Sequence, residues 1–282
     1  MKKVVIEAEP KAAIVDVPDP KAVAGWAVVK VHIAPMCTEY KAWKQGAKQA
    51  ALGHEAVGEV VEVAQPGRVK VGDRVVVQPL YPCGCCALCV SGEYIHCEHT
   101  HDFRAFTSQT EGNATMMQYL LKPDWLLSPI PDDMPYERAG LALCALGPSF
   151  GAFERMEVDA FDTVLITGLG PVGLGGVVNA RFRGAKVIAV DSAPYRQQLA
   201  GELGAQLVLD PTDDRLLEKI RAATDGRGVD CALDCSGAVP AHRLCIDATR
   251  RKGKVAFVGE CSGDTTFQAS RDMIRKGLTL IG

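Results

Sequence analysis

No stretch of this sequence is apolar for long enough to span a bilayer, and the opening Met1-Lys2-Lys3 with residues 4–6 runs straight into charge. A membrane-spanning or exported chain is therefore not expected, and the cytoplasm is the expected compartment. A cationic excess is also missing: 31 Lys and Arg stand against 34 Asp and Glu, for a net charge of -3. That balance offers no footprint for nucleic acid or an anionic membrane. Internal repeats and low-complexity tracts are lacking too. What is present is an ordinary globular composition, 48% hydrophobic and 23% charged, in 282 residues, enough for two domains with substantial cores. Cysteine is plentiful. Eleven of them, an odd number, in a chain of this size with no export signal, point to metal ligation or buried thiols rather than disulfides.

The rhythm of the chain changes half-way. Residues 28–33, 59–63 and 74–77 are short strand candidates separated by the turn formers Pro66-Gly67 and Gly72-Asp73. Such spacing without long helices predicts a small β-barrel. His32 lies inside one of these strands and reads as a partly buried strand residue. In the second half, 163–167, 186–190, 207–209, 229–235, 253–258 and 278–281 are apolar and strand-length, and helix-length segments separate most of them. Buried strands alternating with helices predict an α/β doubly wound parallel sheet. The boundary is expected near residues 147 and 148, giving domains 1–147 and 148–282, with Pro148-Ser149 opening a connecting helix.

Gly168-Leu169-Gly170-Pro171-Val172-Gly173 follows one apolar strand and precedes a segment able to form a helix. Gly168 allows a tight turn, Gly170 lets a pyrophosphate approach the backbone, and Gly173 lets the helix pack on the strand. The helix N-terminus then presents free N–H groups and a favourable dipole to phosphate. Asp191 ends the next strand. A carboxylate there accepts hydrogen bonds from ribose hydroxyls and repels a 2'-phosphate, which favours NAD over NADP. Arg196 either steadies the same ribose or caps a solvated helix face.

Cys83, Cys86, Cys89 and Cys97 are spaced C-x2-C-x2-C-x7-C, which can set four thiolates around a tetrahedral Zn2+. Four sulfurs leave no vacant position, so this zinc would be structural. Cys85 reads as a bystander, and His96, His99 and His101 as exposed loop residues. Cys37, His54 and Cys144 offer a second, mixed ligand set of the kind a catalytic zinc needs, although Cys144 alone also reads as a buried thiol. Cys231, Cys235, Cys245 and Cys261 read as core packing. Trp43, Phe103 and Phe106 are pocket or core aromatics.

Cys37, Gly53-His54-Glu55 with Gly58, Gly72-Asp73-Arg74-Val75, the four-cysteine lobe, Cys144 and the glycine loop, in this order, resemble the zinc-containing alcohol dehydrogenase branch of the medium-chain dehydrogenase/reductase superfamily. The resemblance covers essentially the whole chain. It implies a GroES-like β-barrel catalytic domain followed by a Rossmann domain, and assembly as a homodimer or tetramer. It also implies a catalytic zinc on Cys37, His54 and Cys144, with Glu55 beside it or ligating. The implied activity is hydride transfer from a small alcohol, of secondary, polyol or hydroxy amino acid type, to NAD. The same chemistry reversed would reduce aldehydes or ketones, and a catalytically silent NAD- and zinc-binding protein is the other reading. Three departures stand out. In Cys37-Thr38-Glu39 the hydroxyl and acid expected to relay the proton each come one place early, with Thr38 the relay candidate and Glu39 a brace for the zinc site. The stretch 46–52 is short. The chain also stops at Leu280-Ile281-Gly282 where family members continue, so a form truncated at the C-terminus is expected.

Overall fold

Residues 26–33, rich in valine and ending in isoleucine, suit a half-buried pleated surface, and they form an inner strand of the sheet in the first half of the molecule. The computed structural model describes all 282 residues. The chain divides into two compact units, Met1–Leu143 and Cys144–Gly282.

The first unit begins with an antiparallel hairpin, β1 (Lys2–Ala8) and β2 (Lys11–Asp16). Then come β3 (Trp26–Ile33), α1 (Glu39–Lys44), β4 (Ala56–Val63), β5 (Arg74–Val77), the short helices α2 (Ala87–Val90) and α3 (Phe103–Thr107), β6 (Tyr119–Pro123), β7 (Leu127–Pro129) and α4 (Tyr136–Ala139). Five strands form one antiparallel sheet in the order β6-β3-β4-β5-β7. Period-two alternation sorts its side chains. Ala27, Val29, Ala56, Val60, Val75, Val77, Leu120 and Leu127 fill one core. Trp26, Val28 and Leu121 face the other way, against Phe103 of α3. The sequence pattern did not single out the hairpin, because its charged, exposed turn around Pro10 hides the alternation.

The second unit holds α5 (Gly147–Arg155), β8 (Thr163–Thr167), α6 (Pro171–Phe182), β9 (Lys186–Val190), α7 (Pro194–Glu202), β10 (Leu207–Leu209), α8 (Leu216–Ala222), β11 (Val229–Asp234), α9 (Val239–Ala248), β12 (Thr249–Phe257), a π-helical turn (Ala269–Ile274) and β13 (Thr279–Ile281). Six parallel strands lie in the order β10-β9-β8-β11-β12-β13. Val164, Ile166, Val187 and Ala189 enter one core, while Leu165, Ile188 and Val190 enter another. Apolar residues on both faces explain why these strands read as unbroken apolar runs. The last long strand starts at Thr249, four residues before the expected glycine, because Gly228 and Gly253 bring the two backbones together there.

This is a GroES-like first domain followed by a Rossmann-like second domain. No helix is long and apolar enough to cross a membrane. One packing alternative is decided and one packing expectation changes. Phe103 and Phe106 pack on Trp26, with centroids 5.8 and 5.3 Å away, and so belong to an aromatic cluster in the first unit. Cys261 lies exposed in the loop after β12, whereas Cys231 and Cys245 are buried in the second unit.

Candidate functional site

The four-cysteine lobe is held together by its own backbone. Cys86 caps α2, whose single turn carries the buried Cys89 back over Cys83, leaving the Cys83 and Cys89 sulfurs 3.9 Å apart. Four sulfurs around one zinc at about 2.3 Å stand roughly 3.8 Å from one another, so the spacing fits. All four sulfur atoms lie within 4.8 Å of each other. The backbone N–H of Cys86 donates to the Cys83 sulfur at 3.3 Å, and that of Cys83 to the Cys97 sulfur at 3.2 Å. Backbone N–H groups of Cys85 and Cys86 pull the Cys83 thiol down to about 6, while burial pushes Cys89 up to about 12. A protonated, buried thiol beside ready thiolates is a set that a dication would complete by displacing the last proton. Cys85 is exposed and outside the cluster, and none of His96, His99 and His101 belongs to it.

A second cluster draws its donors from three separated segments. Cys37, His54, Glu55 and Cys144 bring one ligand atom each within 4.8 Å of one another. Gly53 adopts φ +86°, and a Cβ there would collide with Thr115 Oγ1 and lie 2.9 Å from the Met116 nitrogen. Only glycine lets the chain turn His54 inward so close to that backbone. Cys144 is fixed through its peptide bond to Leu143, which is buried against Val57, Val76 and Ala139. Glu39, the first residue of α1, spans the site. One oxygen accepts the Cys37 N–H at 2.8 Å, and the other lies 2.8 Å from His54 Nδ1. With Nδ1–H donating to Glu39, Nε2 is the ring nitrogen that would face a cation, as in carboxylate–histidine–metal arrangements. His54 Nε2 is 3.7 Å from the nearly fully buried carboxylate of Glu55. Two thiols, an imidazole and a buried carboxylate make a donor set that a cation would fit.

A cavity of about 290 Å³ opens beside this cluster, lined by Thr38, Glu39, Ala42, Gln49, Ala51, Gly53 and His54. Thr38 caps α1 without giving its hydroxyl to the helix. Trp43, Phe103 and Phe106 are not among the lining residues.

In the second unit, Gly168 (φ +81°) turns the chain out of β8, and a Cβ there would sit 2.7 Å from Ser236. Leu169 is buried. A Cβ on Gly173 would strike the Gly168 carbonyl oxygen, whereas one on Gly170 would meet nothing within 4 Å. The loop thus packs tightly below and is open above, the shape a pyrophosphate needs. Pro171 and Val172 begin α6, with proline at the position where its missing N–H is no loss. Asp191 follows β9 and is 8% exposed; its oxygens accept the N–H groups of Leu169 (2.6 Å) and Ala193 (2.8 Å). Each oxygen keeps a lone pair for a ribose hydroxyl. Arg196 NH1 stands 3.8 Å from Asp191. The sequence did not reveal a further buried group, Asp234 with His242, beside this loop. Its one signal was a carboxylate closing the strand after the apolar run 231–233.

Fold and donor chemistry together define a class: two-domain oxidoreductases that bind zinc and a dinucleotide. Known proteins agree. Residues 23–132 match the alcohol dehydrogenase GroES-like domain, and 171–282 the zinc-binding dehydrogenase family. The chain is 33% identical to L-threonine 3-dehydrogenase of Symbiobacterium thermophilum over 98% of its own length and 80% of that protein's. It is 36% identical to the uncharacterized zinc-type alcohol dehydrogenase-like protein YphC of Escherichia coli, over 82% of its length but only 65% of the relative's. The solved alcohol dehydrogenase TADH from Thermus sp. ATN1 superposes with a TM-score of 0.87 at 28% identity, covering 100% of this chain and 84% of that one. The chain belongs to the zinc-type alcohol dehydrogenase family of the medium-chain dehydrogenase/reductase superfamily, zinc- and NAD-binding oxidoreductases of small alcohols and aldehydes.

Proposed function

We propose that this chain oxidises a small secondary or polyol-type alcohol with NAD, and reduces the matching carbonyl when the cofactor balance reverses. The observation that carries this reading is the mixed donor set Cys37, His54, Glu55 and Cys144 next to a cavity lined by polar Thr38, Glu39 and Gln49. Polar walls suit a substrate with several hydroxyls, and the relative from Symbiobacterium thermophilum is named for an amino acid that carries a secondary hydroxyl. Cys37, His54 and Cys144 are the assigned zinc ligands, with Glu55 beside them, and Cys83, Cys86, Cys89 and Cys97 hold a structural zinc. When bound, the catalytic zinc supplies Lewis acidity and the nicotinamide supplies a hydride acceptor.

The chain's own residues do the rest. Glu39 orients His54 and the Cys37 backbone. Thr38, whose hydroxyl no helix cap consumes, is the assigned first carrier of the substrate's proton. Gly168, Leu169, Gly170, Pro171, Val172 and Gly173 receive the pyrophosphate. Asp191 takes the adenosine ribose and disfavours a 2'-phosphate, with Arg196 at its side. The free cysteines of both sets fit a cytoplasmic location, and assembly with a second copy follows from the family reading. Sedimentation of the intact protein at a multiple of 30.1 kDa is the expected result for a homo-oligomer.

The test is NAD and NADP reduction over a panel of secondary alcohols, polyols and hydroxy amino acids, with zinc measured per chain. Turnover with NAD on at least one polyol or secondary alcohol is expected. Two zincs and bound NAD without any turnover would replace this reading with that of a silent binding protein.

A further inference from the structure

A buried polar network lies under the dinucleotide loop, and none of the steps above uses it. Asp234 ends β11 in register with Thr167 at the end of β8. In the order β10-β9-β8-β11-β12-β13, the chain runs outward from β8 to β10 and then returns to β11. The sheet therefore reverses between β8 and β11, and ligands of such sheets lie over the strand ends at that point. The Asp234 carboxylate is fully buried. It accepts Thr167 Oγ1 at 2.7 Å, Ser236 Oγ at 2.7 Å and the Gly237 N–H at 2.9 Å, and faces His242 Nε2 at 3.1 Å. His242, on α9, is 4% exposed, and its Nδ1 pairs with the Thr265 hydroxyl. One proton assignment satisfies every partner: Nε2–H donates to Asp234, and Nδ1 accepts from Thr265.

The imidazole thus ties the end of β11 to the segment after β12. These loops touch each other closely. A Cβ on Gly259 would strike the Gly237 nitrogen, one on Gly237 would strike the Glu260 carbonyl oxygen, and one on Gly168 would press on Ser236. With the adenosine ribose at Asp191 beyond β9 and the pyrophosphate over β8, the second nucleotide must extend over β11 and β12. That places it on loops 235–238 and 259–265.

We propose that Asp234, His242 and Thr265 form a positioning relay for the nicotinamide half of the dinucleotide, setting the height and register of the two loops that floor it. The inference rests on the NAD reading above. Asp234 and His242 are positioning residues, since they act through Ser236, Gly237 and Thr265. A buried carboxylate with this many donors is a costly way to fill space, because apolar groups of similar volume usually serve stability as well or better.

The test uses the intact zinc-loaded protein and two probes, NADH and ADP, the latter lacking the nicotinamide and its ribose and resting on the glycine loop and Asp191 alone. Thr265→Val keeps shape and loses one hydroxyl, and Thr265→Ser restores it. In titrations, Thr265→Val should weaken NADH about tenfold, the scale of one lost hydrogen bond, with ADP changed less than twofold. Thr265→Ser should return NADH binding to that of the parent. His242→Phe should show the same selectivity. Equal weakening of both probes, or unchanged NADH binding in Thr265→Val, would overturn the relay while leaving the NAD reading intact. A parent chain that binds neither probe would sink both.

Discussion

The two four-donor clusters teach different things about how a sequence builds a metal site. Cys83, Cys86, Cys89 and Cys97 come from one stretch of backbone, carry only sulfur, and are organised by N–H groups of the same loop. Cys37, His54, Glu55 and Cys144 come from three segments, mix sulfur, nitrogen and oxygen, and depend on Gly53, Glu39 and the packing of Leu143 to meet. A closed sulfur set has spent its coordination positions and can only hold the lobe. A mixed set beside a polar cavity can accept a substrate oxygen. Losing the first should cost structure, and losing the second should cost chemistry.

The sharpest way to break that contrast is His54→Ala. Activity should fall about a thousandfold or more, the scale of several kcal/mol of Lewis-acid stabilisation, zinc should drop from two per chain to one, and the melting temperature should stay within a few degrees. A large melting shift would show that both clusters are structural. Cys89→Ser should do the opposite. Zinc again falls to one, but the Tm should drop by about 10 °C or more, since several kcal/mol of binding energy converts at roughly 2–4 °C per kcal/mol in a chain of this size. Glu39→Gln should weaken metal affinity about 10- to 100-fold at the mixed cluster only, read by competition with a chelator. Equal loss at both clusters would remove Glu39 as a brace.

A smaller effect serves as a control away from both clusters. Arg243 holds the Asp272 carboxyl down at about 2. Its folded value lies below the unfolded value of about 4, so its contribution is present above pH 4 and is lost as pH falls through 2. Asp272→Asn should therefore melt a few degrees lower at pH 7, with the gap closing between about pH 4 and pH 2 and zinc content unchanged. A constant gap across that range would assign the effect to packing.

Local spacing made the sulfur lobe and the glycine loop legible. Each is one continuous stretch, so strand, turn and donor positions stand in the order in which they function. Asp191 was readable for the same reason, as the end of the next buried strand. The mixed cluster was legible only as a set of candidates, because no spacing rule links residue 37 to residue 144. The contact of Glu39 with His54 depends on how α1 turns, which no spacing in the sequence shows. The Asp234–His242–Thr265 network escaped because its members sit on a strand, a helix and a loop, and each alone reads as ordinary packing. For Phe103 and Phe106 composition left a pocket wall and an aromatic core open alike, and only their packing on Trp26 decides for the second.

The central claim is that one chain holds two chemically different zinc environments. Zinc-edge X-ray absorption on the intact, fully loaded protein tests it directly, since it counts sulfur neighbours. Two zincs per chain should average three sulfurs each in the parent, rising to four in the single zinc that His54→Ala retains. Four sulfurs per zinc in the parent, or loss of all zinc on His54→Ala, would contradict the account.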